Sequence, residues 1–195
     1  MTKKLIIIIS SPSGAGKSSI CKRLLKDDTN LTISISDTTR PPRDNEEDGK
    51  DYNFISQEKF KIRIANDEYL EYANVFGNYY GSLDKNVSDA INNGFDILFD
   101  IDWQGSLQLK KSKKYSNILT MFIIPPSKEV IFERLKLRAL KSGDSEEAIK
   151  ERLNQYETEM SHQDEYEYII ENNDFERCIQ LIKNIIEEAR KKLNS

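Results

Sequence analysis

The chain has 195 residues, 37% hydrophobic and 32% charged, with a net charge of -4 and a sequence pI of about 5.3. These values describe one globular domain with room for a real core, and exclude two large domains. The acidic balance argues against a nucleic-acid binder, and no apolar run approaches the ~20 residues of a membrane span.

Residues 5–9, Leu5-Ile6-Ile7-Ile8-Ile9, form a short β-branched run that predicts a buried strand. Residues 18–25 place Ile20, Leu24 and Leu25 at helical spacing. Between them lies Ser10-Ser11-Pro12-Ser13-Gly14-Ala15-Gly16-Lys17-Ser18-Ser19. Small residues ending in Gly-Lys-Ser, between a strand and a helix, mark a phosphate-binding loop. Backbone N–H groups of residues 13–18 can curl around an anion at the positive helix end. Gly14 and Gly16 leave room for that approach. Lys17 would reach a nucleotide's terminal phosphates, and the Ser18 hydroxyl would ligate Mg²⁺. The full pattern has Gly where this chain has Ser11. Either Ser11 carries positive-φ strain, the favoured reading, or its hydroxyl holds the loop. The start, Met1-Thr2-Lys3-Lys4 and a short apolar run, leads straight into this loop. It is too short for a signal peptide, so the chain is expected in the cytoplasm.

Further strands are predicted over 31–36, 95–100, 118–124 and 166–170, and helices over 83–93, 105–114, 127–138 and 175–193. Strands alternating with helices predict a parallel sheet covered on both faces, with ligands bound beyond the strands' carboxyl ends. Two segments break the alternation. Residues 37–82 begin with an extended loop and predict a strand over 52–55, a helix over 57–66 and a hairpin over 69–75 and 79–82. Residues 137–163 are highly charged and read as a mobile helical arm. Cys21 and Cys178 read as free thiols, although their count allows a disulfide. The single histidine, His162, reads as a solvated surface residue.

The motifs in and around the first of these segments resemble guanylate kinase in order and spacing. They comprise Ser34-Ile35-Ser36-Asp37-Thr38-Thr39-Arg40-Pro41-Pro42-Arg43, Gly49-Lys50-Asp51-Tyr52-Asn53-Phe54, Glu71-Tyr72-Ala73, Gly77-Asn78-Tyr79-Tyr80-Gly81-Ser82 and Asp100-Ile101-Asp102. Pro125-Pro126-Ser127 and Asn172-Asn173-Asp174 extend the likeness over nearly the whole chain. The resemblance implies an α/β P-loop core with a five-stranded parallel sheet flanked by helices. The core would span residues 1–36, 83–136 and 164–195, with a small α/β GMP-binding insertion over 37–82 and a helical lid over 137–163. It implies Mg²⁺-dependent phosphoryl transfer from ATP to GMP.

The residues suit that chemistry. Arg40 and Arg43, on a Pro-stiffened loop, offer two planar forks for a dianionic phosphate. By the resemblance, Tyr52 and Tyr80 add hydroxyls to it. Guanine presents an N1–H and a 2-amino donor, so its site needs acceptors. The resemblance gives Glu71 both donors, places Ser36 near O6, and completes the pocket with Ser82 and Asp102. Adenine would leave such a carboxylate unpaired. Asp100 ends an apolar strand beside the loop, where it would orient Mg²⁺, or else it caps the next helix. ATP would lie along Ser13, Gly14, Ala15, Gly16, Lys17, Ser18 and Ser19. Arg134 and Arg138 share a helix face and, with Arg152, resemble the family's lid arginines. Together with Lys17 and Arg40 they form the expected catalytic set. The lid hinge, Ala139-Leu140-Lys141-Ser142-Gly143, is longer than the family's. Asn172 matches the position that contacts adenine, and it serves equally as a turn residue. Two alternatives remain at this level: a phosphorylated-sugar kinase of the same fold, and a non-catalytic interaction module. Partners are GMP and ATP, with no nucleic acid or membrane expected.

Overall fold

In the structure, a computed structural model that describes residues 3–44, 46–142 and 145–195, the isoleucine run forms β1 (Ile6–Ser10). The side chains of residues 138 and 140–142 lie outside the description, and with them the expected role of Arg138. Every residue of β1 is buried, because both faces of its sheet are covered. Ile7 and Ile9 pack with Ile20, Leu24, Ile131, Ile179 and Ile182 on one face. Ile6 and Ile8 pack with Val87, Leu109 and Phe122 on the other. Each fully buried isoleucine contributes roughly 2 kcal/mol.

The remaining strands of this sheet are β2 (Leu31–Ile33), β7 (Asp96–Asp100), β8 (Ile118–Ile124) and β9 (Tyr168–Glu171). Their order is β2-β7-β1-β8-β9, all parallel. Helices α1 (Lys17–Asp27), α5 (Lys128–Ser142) and α7 (Phe175–Asn194) supply one face's apolar residues. Helices α3 (Asp84–Asn92) and α4 (Trp103–Ser112) supply the other's. The chain passes from β1 to β2 on one side of β1 and later crosses from β7 to β8 on its other side, so the loop after β1 sits at a switch point of strand order, where such sheets bind ligands. Two strands differ from expectation. The 31–36 strand stops at Ile33, where Ser34 N–H still donates to Leu98 O at 2.9 Å. The last strand starts at Tyr168 because Tyr166 closes a short 3-10 turn over Gln163–Glu165.

A second, four-stranded sheet holds β3 (Asp37–Thr38), β4 (Asn53–Phe54), β5 (Tyr69–Val75) and β6 (Asn78–Leu83), in the order β4-β3-β6-β5. Helix α2 (Gln57–Ala65) packs Phe60 on it, stacked against Tyr69 and Tyr79. Strand β3 is too short for any periodicity to predict. Its Asp37 is fully buried and accepts from Arg63, from Tyr69 Oη at 2.7 Å and from Asn53 Nδ2 at 3.1 Å. A buried carboxylate needs such partners, and these three tie four elements together.

The charged arm forms α6 (Glu146–Met160), capped by Ser145 Oγ accepting from Ala148 N–H at 3.2 Å. His162 is not a free surface residue. Its ring lies 3.6 Å from that of Trp103 at an interplanar angle of 8°, and its Nδ1 is 2.7 Å from Glu165 Oε1. Cys21 and Cys178 are both buried and unpaired.

Candidate active site

Beyond the carboxyl ends of β1 and β7 the loop is shaped by two glycines. Gly14 and Gly16 have φ of +92° and +101°, backbone that residues with a Cβ rarely adopt. A Cβ on Gly16 would also lie 2.6 Å from Asn172 Nδ2. The Ala15 carbonyl is held from outside. Asn172 Nδ2 donates to it at 2.7 Å and Arg134 Nη1 at 3.1 Å, while Arg134 Nη2 reaches Asn172 O at 3.2 Å. In this structure Arg134 and Asn172 therefore brace the loop's backbone. Ser11 carries no positive-φ strain, since the non-glycine residues of positive φ are Asp67, Phe76 and Lys113 among those described. Its hydroxyl donates to Pro12 O at 2.9 Å, so the favoured expectation of strain is corrected.

Lys17 pairs with Asp100, the last residue of β7. Burial pulls the ammonium toward neutrality, but the Asp100 carboxylate outweighs it and holds the pKa above its ordinary value. Lys17 is thus a fixed charge. Ser18 and Ser19 are exposed in the first turn of α1. The helix cap before Trp103 is Asp102, not Asp100: Asp102 Oδ1 accepts from Gly105 N–H at 3.0 Å.

A second group faces the loop from the four-stranded sheet. Arg40 Nη2 donates to both oxygens of Glu46 at 2.8 and 2.9 Å, and Arg40 Nε donates to Tyr80 Oη at 3.2 Å. Arg43 donates to Glu46 through its backbone N–H at 2.9 Å and Nη1 at 3.4 Å. A carboxylate thus holds both forks together, as an oxyanion would. The rings of Tyr52 and Tyr80 meet edge-on at 5.8 Å. Burial, and then the charge of Asp100, push the Tyr52 hydroxyl's pKa up.

The third group is the acceptor pocket. Glu71 is 3% exposed, and its Oε1 has no hydrogen-bond partner among the described residues. Burial raises its pKa to about 7, with the Ser82 hydroxyl pulling the other way and Asp102 adding to the rise. Ser36 Oγ and Ser82 Oγ lie 3.2 Å apart, both buried. Gly105 decides how close the carboxylate comes to α4, because a Cβ there would lie 2.2 Å from Glu71 Oε2.

Helix α6 covers the loop. Arg152 Nη1 donates to Ser13 Oγ at 3.1 Å, and its guanidinium lies 4.9 Å from the Phe76 ring, at the β5–β6 turn.

A family model described as guanylate kinase matches residues 3–189. The chain belongs to the guanylate kinase family. It is 48% identical to the guanylate kinase of Rickettsia bellii, over 98% of each chain. It is 47% identical to that of Rickettsia prowazekii, over 97% of this chain and 94% of the relative. The crystal structure of guanylate kinase from Anaplasma phagocytophilum superposes with a TM-score of 0.77 at 34% identity, covering 97% of this chain and 88% of that one. The enzyme is a nucleoside monophosphate kinase that transfers a phosphoryl group from ATP to GMP. The expected family, α/β fold and reaction stand, and the sugar-kinase and interaction-module alternatives fall away.

The sequence assigns no role to four residues that the structure places in or around the site: Asp37, Glu46, Gly105 and Glu159. Glu46 follows Arg43 by three positions and was open to detection as a partner of the arginines. Gly105, inside a helix where glycine costs stability, was a signal of close approach. Asp37 and Glu159 carry no local signal.

Proposed function

We propose that the three groups divide the reaction between them. GMP lies on the residue 37–82 insertion, ATP on the loop, and residues 137–163 form a lid. The carrying observation is Glu71, a buried carboxylate with an unpartnered acceptor oxygen. It suits the N1–H and 2-amino donors of guanine, with Ser36, Ser82 and Asp102 around the same base. Arg40 and Arg43, with Tyr52 and Tyr80, receive the monophosphate in place of Glu46. Lys17, with Arg134, Arg138 and Arg152, neutralises charge on the transferred group. ATP runs along residues 13–19, with Asn172 near its base.

The donor set fits Mg²⁺. Ser18 and Asp100 offer a hydroxyl and a carboxylate, both hard oxygens. Among the described residues, no group of three or more His, Cys, Asp or Glu side chains is arranged to hold a metal ion. Mg²⁺ characteristically takes one or two protein ligands and completes its shell with water and substrate phosphate. When bound, it would supply positive charge to the phosphates. The chain's own residues align two nucleotides, exclude water and hold fixed charge at the reacting oxygens, with no covalent intermediate. No helix among the described residues is long and apolar enough to cross a membrane, and we place the enzyme in the cytoplasm.

A nucleotide panel tests the assignment, measuring ADP formed with each nucleoside monophosphate. GMP is the preferred acceptor, and Glu71→Ala lowers kcat/KM for GMP by about 10²-fold or more. Equal use of GMP by variant and parent rejects the base-reading role.

A further inference from the structure

Helix α6 reaches the phosphate loop through a residue that the nucleotide contacts leave unassigned. Glu159 lies in its last turn, is 8% exposed, and accepts a hydrogen bond from the Ser13 backbone N–H through Oε2 at 3.0 Å. Arg152, two helical turns earlier on the same face, donates to the hydroxyl of the same serine at 3.1 Å. One residue of the loop is therefore gripped twice by α6, by a carboxylate on its backbone and a guanidinium on its side chain. The charged groups facing Glu159 are Lys17 of the loop, Asp102 at the start of α4, and Arg152. Burying a carboxylate on a single backbone donor is costly unless the geometry is fixed by its surroundings. A solvated helix residue would not sit there.

We propose that Glu159 is a positioning residue that sets the phosphate loop for ATP from the lid, so that the donor site is complete only when α6 lies across Ser13. The Ser13 N–H, which the sequence suggests for the nucleotide, is instead held by the chain's own anion. The loop's shape then follows the lid's position, and seating of ATP and closure of α6 become one event. Burial also raises the Glu159 pKa to about 7, opposed by the Ser13 N–H, so the grip strengthens as the carboxyl ionises. The inference rests on ATP occupying the loop.

The test is steady-state kinetics of Glu159→Ala, Glu159→Gln and Glu159→Asp, with Lys17→Ala as the control for the ATP site. The alanine variant raises KM for ATP about tenfold and leaves KM for GMP within about twofold, because a hydrogen bond to a charged group is lost at one site only. Glutamine keeps an acceptor and restores KM for ATP to within about threefold. Aspartate, one methylene short, stays impaired, and it carries the test if the alanine variant does not fold. Unchanged KM for ATP in the alanine or aspartate variant overturns the proposal. So does an equal rise in both KM values with a lowered Tm, which marks a packing role. Retained turnover in Lys17→Ala overturns the ATP-site reading and this inference with it. Loss of turnover there, with Glu159→Ala unaffected, overturns this inference alone.

Discussion

At the scale of single residues, the proposed selectivity for guanine rests on a carboxylate, Glu71, that is buried with one oxygen unpartnered among the described residues. Glu71 rests against α4 only because residue 105 has no Cβ. Gly105→Ala should leave the helix intact, since alanine is the better helix former, but move the Glu71 carboxylate. A displacement on this scale at a reacting site costs about 10²-fold in rate. We expect kcat/KM for GMP to fall by that order with an unchanged circular dichroism spectrum, and full GMP activity in this variant would refute the placement. The raised pKa of Glu71 has a second consequence. Its folded value of about 7 exceeds the ordinary 4.5, so between these values the folded state holds more protons than the unfolded. Stability from this site is therefore complete below about pH 4.5 and lost as pH rises through about 7. Glu71→Gln should be more stable than the parent by about 3 kcal/mol near pH 8, with the gap narrowing to under about 1 kcal/mol near pH 5. Thermal melts at the two pH values decide it, and a gap independent of pH counts against the buried ionisation.

At the scale of elements, the β1–α1 loop is not self-supporting. Its glycines allow the left-handed turns, but Ala15 O is fixed by Asn172 after β9 and Arg134 of α5. Asn172→Ala leaves Arg134 as the remaining of these two braces. The lost hydrogen bond, about 1 kcal/mol, should raise KM for ATP by roughly fivefold and leave KM for GMP unchanged. An unaltered KM for ATP would mean that Arg134 alone suffices. The second sheet follows the same logic through Asp37, whose acceptors hold β3, β4, α2 and β5 at one point. Glu46 plays a similar part for Arg40 and Arg43. It keeps two guanidiniums side by side, an arrangement that like charges alone would resist.

At the scale of the whole molecule, rigidity is distributed unevenly. The parallel sheet carries the buried apolar side chains, whereas α6 contributes Ile149, Leu153 and Tyr156 only as partly buried neighbours of that core. Segments with little buried apolar surface open at low free-energy cost. Amide hydrogen exchange with and without a bisubstrate analogue should show protection rising in Glu146–Met160 and in the second sheet, and little change in Asp96–Asp100. Unchanged exchange in α6 would reject lid closure. The stacked Trp103–His162 pair anchors the end of this segment to the start of α4, so closure would pivot near it.

How much of this was legible beforehand depends on the range of the interaction. The strand, loop and helix around Lys17 were readable because apolar periodicity, glycine and the Gly-Lys-Ser sequence are local patterns. The identity of Glu71, Arg40 and Arg43 as candidates came with a resemblance spanning almost the whole chain. What those side chains touch was not legible. The Asn172 amide meets Ala15 across 157 positions, and Glu159 meets Ser13 across 146. Such pairings follow from strand order and helix crossing, which no window of sequence contains. The sequence by itself determined most of the elements, the loop and the family, but not the two-residue strand β3. The tertiary structure decided which anion holds each cation, because a buried charge is satisfied by whatever the fold brings within about 3 Å of it.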